Sequence, residues 1–368
     1  MPSLRLIADD LTGALDTAAG FTGLVGAVEV AWVGAPMGPC GGNLALDTGT
    51  RERSAEEAAR IAGALAPRLQ GAEIAFKKVD SLLRGPWAAE LAACFGTGAW
   101  RHAIVAPAFP YQGRRTVEGR QFARTESGWQ AASGDIAESL HAAGLATRRA
   151  GVGDGLLDGV AVYDATDDAD LDRIASFAES AAGPVLWCGS GGLAGALAGR
   201  SPASCDTRLV GPVLGLFGSD RPETAAQLAH CPEHRLILPA EGDHAGRVAA
   251  RLRERGAALV SLGLPEGTGR QEAAARIAAS FGLLARALPP PGTLLVAGGE
   301  TLKALCLALG TETLVVTGQV APGIPRSRMR GGLWDGVAIV SKSGAFGSPA
   351  VWRDLLRRNG LLPERTCA

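Results

Sequence analysis

Paired metal-ligand and disulfide spacings are missing from this sequence of 368 residues. Its seven cysteines, at positions 40, 94, 188, 205, 231, 306 and 367, never stand in CxxC spacing. That excludes a zinc ribbon or a disulfide framework and predicts reduced thiols, several of them buried. An excess of one charge is missing too. With 36 Lys and Arg against 37 Asp and Glu, the net charge is −1, so the electrostatic footprint of a nucleic-acid or polybasic membrane-surface protein is absent. No uninterrupted apolar run reaches membrane length, and the run before Asp9 is too short for a signal peptide. The chain is expected to stay in the cytoplasm. There is no GxxxxGK[ST] stretch, so a P-loop enzyme is not supported.

What is present is an alternation, sustained over almost the whole length, of Val-, Ile- and Leu-rich runs with alanine-rich amphipathic segments. Parallel sheets covered by helices produce this pattern, so the fold class is α/β. A chain this long exceeds one ordinary core, and the polar, proline-containing stretch RSPASCDT at 200–207 interrupts the alternation. We place the boundary there, giving domains 1–205 and 206–368. Each is expected to be a largely parallel sheet flanked by helices, with a cleft between the two.

Ligands of open α/β sheets bind at the carboxyl ends of strands, and the unusual polar clusters fall where such ends are predicted. The first strand runs straight into Asp9 and Asp10. Two adjacent carboxylates repel unless a cation, a donor or a substrate proton relieves them. One could cap the next helix; for both to do so is harder to arrange. Hydroxyl recognition, proton abstraction or magnesium binding are the functional readings. Asp16, further into that helix, reads as a solvated or structural neighbour. The strand EIAFKKV then ends in DSLLRGPW. Lys77 and Lys78 alternate across it, and Lys78 shares its face with Asp80. Asp80 and Ser81 can cap a helix whose first turn suits Pro86.

Arg84 could grip a carboxylate with two prongs, and so could Arg114 or Arg115 in FPYQGRRTVEGRQF, a stretch too irregular for a helix and too basic to be buried unpaired. Surface salt bridges are the bland alternative. In the second half small residues cluster at predicted helix starts: Gly218 and Ser219, then Gly298, Gly299, Glu300 and Thr301, then Ser343, Gly344 and Gly347. Backbone N–H groups there can approach phosphate oxygens, and three such places point to a nucleotide. His230, Cys231 and His234 surround Pro232, which spoils a helical metal pair, and are assigned to a surface loop.

Taken in order, IADDLTGALD, KKVDSLLRG, APAFPYQGRRTVEGRQF, GSGGLA, GSDRPET, VAGGETL, APGIP and SKSGAFG resemble the four-carbon acid sugar kinase family. The resemblance covers nearly the whole chain. It implies an amino-terminal domain for the acid sugar and a carboxy-terminal domain for ATP. The terminal hydroxyl of threonate, erythronate or a 3-oxo-tetronate would be phosphorylated, with Mg2+ required. Carried over by motif, Asp9, Asp10, Lys78, Asp80, Ser81, Arg84 and Arg114 would line the acid-sugar site. Ser219, the GGET stretch of Gly298, Gly299, Glu300 and Thr301, and Ser343 and Gly344 would hold ATP. Asp9 or Asp10 would take the proton, the metal ligands stay unassigned, and a homodimer is compatible with all of this.

Two departures stand out. The family's GSxSPxT is GSDRPET here, which puts Asp220 and Arg221 beside the nucleotide, and the segment after GRQF is short. Two other readings compete. A haloacid-dehalogenase-like phosphohydrolase would use an aspartate after the first strand as nucleophile, but its loop wants Asp, any residue, Asp, whereas these aspartates are adjacent. A non-catalytic sugar-acid-binding protein would bind ligand without nucleotide.

Overall fold

The computed structural model describes residues 1–36, 42–200, 206–265 and 267–362. The chain separates into two compact units, Met1–Ala203 and Ser204–Ala368; the expected boundary at 205/206 touches residues outside the described ones.

The first unit runs β1 (Leu4–Ala8), α1 (Leu11–Val25), β2 (Val28–Trp32), β3 (Leu44–Asp47), α2 (Ala55–Leu65), β4 (Ile74–Lys78), α3 (Trp87–Phe95) and β5 (His102–Ala106). It continues through β6 (Arg114–Val117), β7 (Arg120–Thr125), β8 (Gly128–Asp135), α4 (Ile136–Ala142), β9 (Thr147–Ala150), β10 (Gly159–Tyr163), α5 (Asp168–Ala175), β11 (Val185–Gly189) and α6 (Gly191–Leu197). Its main sheet has the order β2-β3-β1-β4-β11-β5-β10-β9, and every one of these pairings is parallel. Central strands covered on both faces are apolar apart from their first residues, which is why LRLIA and HAIVA end in uninterrupted buried runs after Arg5 and His102. Under the sheet, Ile7, Leu46, Val79, Leu91, Val105 and Leu186 form one core.

The basic segment expected to be an irregular loop is a second sheet, antiparallel in the order β6-β7-β8. The turn at Glu118 and Gly119 takes the left-handed region in both residues, which folds the arginine-rich run back on itself. Its anchor is Gln121, fully buried, which accepts from Thr116 Oγ1 at 2.8 Å and donates to Ser81 O at 2.8 Å and Pro107 O at 3.1 Å.

The second unit runs β12 (Val213–Phe217), α7 (Pro222–Ala229), β13 (Arg235–Pro239), α8 (Ala245–Arg255), β14 (Ala257–Gly263), α9 (Arg270–Ala287), β15 (Thr293–Ala297) and α10 (Gly299–Leu309). It ends with β16 (Thr313–Ala321), β17 (Ile324–Arg330), β18 (Ala338–Lys342) and α11 (Val351–Arg358). Its strand order is β13-β14-β12-β15-β18-β17-β16, parallel except that β17 lies antiparallel to both its neighbours. The β16–β17 hairpin was not among the expected strands; its alternating burial and its turn at Pro322 and Gly323 mark a half-buried antiparallel pair. Phe217, Leu259, Leu295, Val340, Trp352 and Leu356 share a core. Here too the surface-loop expectation for His234 fails, because its ring is buried between Ala257 O at 3.1 Å and Leu361 O at 2.7 Å.

Among the described residues no helix is long and apolar enough to cross a membrane. Cys94, Cys188, Cys231 and Cys306 are buried free thiols, and burial pushes each up to about 12. They are inert at neutral pH.

Candidate functional site

In the first unit β1 lies between β3 and β4. From β1 the chain moves outward to β2 and β3 on one side and then to β4 on the other. The carboxyl end of β1 is therefore a place where strand order reverses, where open sheets leave a crevice. Asp9 and Asp10 stand there.

The two aspartates have different surroundings. Asp10 is the N-cap of α1: its Oδ1 accepts from Gly13 N at 2.8 Å and its Oδ2 from Thr12 Oγ1 at 3.2 Å. Its side chain remains 32% exposed. Asp9 is 1% exposed and is held by Arg51, through Nη2 to Oδ1 at 2.7 Å and through Nε to Oδ2. Arg51 also reaches Asp10 Oδ1 at 3.1 Å and Asp80 Oδ1 at 3.6 Å. One guanidinium thus bridges the three carboxylates at the ends of β1 and β4. Burial alone would raise the Asp9 carboxyl, but the hydrogen bonds and charge of Arg51, with Lys77 and Lys78, hold it below the usual carboxylate range.

Arg51 is itself seated by a buried network. The N–H groups of Thr50 and Arg51 donate to Asp9 O at 3.1 and 3.3 Å. Thr50 Oγ1 bonds Glu90, and Glu90 pairs with Lys77 Nζ at 3.1 Å with both side chains fully buried. Lys77 and Lys78 therefore do opposite things. Lys77 supports the sheet from within, while Lys78, donating to Val79 O at 3.0 Å, brings its Nζ close over Gly13 at the start of α1.

Asp80 does not cap a helix, as its spacing had predicted. Its Oδ2 accepts from the N–H groups of Leu82 at 3.2 Å and Arg84 at 3.3 Å, forming a tight turn, and α3 opens later, behind Pro86. Arg84 spends both prongs on Asp80, at 2.7 and 2.8 Å. Burial would raise the Asp80 carboxyl, but the Arg84 hydrogen bonds and the charges of Arg51, Arg84 and Lys78 depress it strongly. Ser81 is half-buried beside this turn and meets β7 through Gln121.

Arg114 and Arg115 face opposite ways, as neighbours on a strand must. Arg115 lies on the aromatic face of the small sheet, 4.1 Å from the Trp129 ring centroid and 5.9 Å from that of Phe122, and its buried Nε has no partner among the described residues. Arg114 donates through Nη1 to Gln112 O at 2.7 Å and Gly113 O at 3.1 Å. Its buried Nε has no partner among the described residues, and burial lowers the guanidinium, opposed by Asp80.

Sequence reasoning missed Arg51, because TGTRERS after a strand reads as an ordinary charged turn. Asp16, read from the sequence as a solvated or structural neighbour, is only partly exposed; burial pushes its carboxyl up to about 6, with Lys78 opposing the shift and Asp10 adding to it.

In the second unit the loops after β12, β15 and β18 gather at the carboxyl ends of three neighbouring strands. A Cβ on Gly218 would overlap Thr301 Oγ1, one on Gly344 would overlap Ser219 Oγ, and one on Gly298 would lie 3.7 Å from Ser219 N and Cβ. So Ser219, Gly298, Thr301 and Gly344 converge, with Gly299 and Glu300 in the first turn of α10 and Ser343 beginning the third loop. α10 opens at Gly298 without a side-chain cap, which leaves its first N–H groups to a ligand or to water; α7 opens with Pro222, and its Thr224 N–H already donates to Arg221 O at 3.0 Å. Lys342 ends β18 almost fully buried, donating to Ser343 O and Gly344 O at 2.9 Å each. Burial brings its amine down to about 8, opposed by Glu223. Among the described residues no group of three or more His, Cys, Asp or Glu is placed to hold a metal ion.

Known proteins agree with this division. A sugar-binding N-terminal domain family matches residues 4–145, and a nucleotide-binding C-terminal domain family matches residues 214–351. The D-threonate kinase of Cupriavidus necator is 34% identical, over 95% of this chain and 96% of that one. The 3-oxo-tetronate kinase of Pseudomonas fluorescens is 28% identical, over 94% of each. The fold matches that of Haemophilus influenzae protein HI1011, with a TM-score of 0.74 at 19% identity, covering 97% of this chain and 100% of the other. With that identity over nearly the full length, and both domain families matched in order, this chain belongs to the four-carbon acid sugar kinase family.

Proposed function

We propose that the protein is an ATP-dependent kinase that phosphorylates the terminal hydroxyl of a four-carbon acid sugar, D-threonate being the first candidate. Residues 1–205 would take the acid sugar and residues 206–368 the nucleotide. The observation that carries the reading is the division of chemistry within one chain. The first unit offers a cluster of carboxylates and cations that suits hydroxyls and a carboxylate, and the second offers converging glycine loops and the uncapped start of α10, which suit phosphates.

Within the first unit Arg114 is assigned the substrate carboxylate, because Arg84 is already committed to Asp80, Arg115 is stacked on Trp129, and Arg114 lies by Asp80 with its Nε unpartnered among the described residues. Lys78, Asp80 and Ser81 orient hydroxyls. Asp10, half-exposed, accepts the proton as the hydroxyl oxygen attacks the γ-phosphorus and the bond to the ADP oxygen breaks. Asp9, buried with both oxygens on Arg51, positions that arginine. The same burial disfavours Asp9 as the nucleophile of a phosphohydrolase. In the second unit Ser219, Gly298, Gly299, Glu300, Thr301, Ser343 and Gly344 receive ATP. Among the described residues no group of three or more His, Cys, Asp or Glu is gathered for a metal ion, so magnesium is read as arriving on the triphosphate, with no protein-held site assigned.

The test is ATP consumption against D- and L-threonate, D-erythronate and the 3-oxo acids. Turnover on at least one, abolished by Asp10→Asn, is expected. Silence across the panel with MgATP bound would remove the substrate assignment.

A further inference from the structure

The loop 343–348 is stitched from below by three buried or nearly buried side chains that the proposed chemistry does not use. Lys342 Nζ donates to Ser343 O and Gly344 O. Thr224 Oγ1, from α7, donates to Gly344 O at 3.1 Å. Gln227 is fully buried one turn later on α7 and points Nε2 at Phe346 O, Gly347 O and Ser348 O, at 3.0, 3.1 and 3.2 Å. All three neighbours of Nε2 are acceptors, so the amide orientation is determined by its surroundings. Its Oε1 is buried without a partner among the described residues.

In a trans peptide the carbonyl of one residue and the N–H of the next point in opposite directions. The carbonyl of residue 343, held by Lys342, and those of residues 344, 346, 347 and 348, drawn toward α7, therefore turn the N–H groups of Gly344, Ala345, Gly347 and Ser348 the other way. None of those four donates to an acceptor among the described residues. Successive amides turned to one side form a concavity that accepts an anion. Gly344 lies against Ser219, so this concavity adjoins the loop after β12.

We propose that Gln227 and Thr224 are positioning residues for phosphoryl transfer: from beneath, they set the 343–348 loop so that its amides face the nucleotide's phosphates. The inference rests on the nucleotide reading given above. Neither side chain touches ATP; each acts through the loop carbonyls it holds, with Lys342 as the third tether.

The experiment compares Gln227→Met, which keeps bulk and removes the donors, with Thr224→Val and Thr224→Ser, which remove and retain the hydroxyl. Binding of MgATP is measured by calorimetry, KM is measured for ATP and for D-threonate, and melting is followed by circular dichroism. Gln227→Met and Thr224→Val are expected to raise the Kd and KM for the nucleotide about tenfold. The KM for D-threonate stays unchanged, and Thr224→Ser behaves like the wild type. Should Gln227→Met fail to fold, Thr224→Val against Thr224→Ser decides. Unchanged nucleotide affinity in a folded Thr224→Val variant, or equal losses for both substrates, overturns the proposal. Wild-type protein that binds no MgATP would remove the nucleotide reading, and this inference with it; wild-type binding that both variants share removes only the inference.

Discussion

Arg51 carries the largest electrostatic burden of any single residue in the first unit, since it contacts Asp9, Asp10 and Asp80 at once. Breaking a buried pair by removing one partner leaves an uncompensated charge, which costs about 3–5 kcal/mol. Arg51→Met is therefore expected to lose about that much in urea unfolding, and adding Asp9→Asn should recover part of it. A loss below about 1 kcal/mol, the range of an exposed pair, would contradict the central role of Arg51. Asp16 makes the opposite case. Its folded carboxyl titrates near 6 against an ordinary 3.8, so the folded chain binds this proton more tightly than the unfolded chain does. The contribution is fully present below pH 3.8 and is lost as the pH rises through about 6. Asp16→Asn should accordingly unfold later than the wild type at pH 8, by about 1–2 kcal/mol, with the gap closing at pH 4. A gap that stays constant across that range would show that Asp16 is ionised without penalty.

At the scale of elements, the site is made by short turns that lie against one another after the strands end. The turn between β4 and α3 contains Leu83 at φ +57 and Gly85 at φ +78, both left-handed. A Cβ on Gly85 would stand 2.8 Å from Arg51 O, so the glycine allows this turn to lie against the turn that carries Arg51. Gly85→Ala combines a strained φ with a backbone collision and is expected to destabilise by about 1–3 kcal/mol. Its KM for the acid sugar should rise as Arg51 shifts. A variant as stable and as active as the wild type would mean that the two turns adjust independently. The small antiparallel sheet obeys similar logic. Strand alternation sends Arg115 to the aromatic face and leaves Arg114 by Asp80, a choice that an irregular loop would not have enforced.

For the molecule as a whole, each unit has its own core and its own place where strand order reverses, and both sets of polar loops lie at such places. Much of this was legible in the sequence. Uninterrupted apolar runs announced doubly covered strands, and Asp9 and Asp10, Asp80, and the glycines near Ser219, Thr301 and Gly344 stood where those runs stopped. These are local signals, set by side-chain periodicity and by the cost of burying charge, and they survive without knowledge of the fold. The arginine that compensates the aspartates was not legible. Arg51 is separated from Asp9 by 42 positions, and only the parallel pairing of β1 with β3 brings the two turns together. The hairpin β6–β7–β8, the burial of His234 and the tethering of the 343–348 loop by Gln227 were hidden for the same reason. Sequence alone determined which residues had to leave the core and where along the chain they would do so. Tertiary structure decided which of them meet, because strand order and register set the distances between residues far apart in the chain, and the energy of a charge or hydrogen bond depends on those distances.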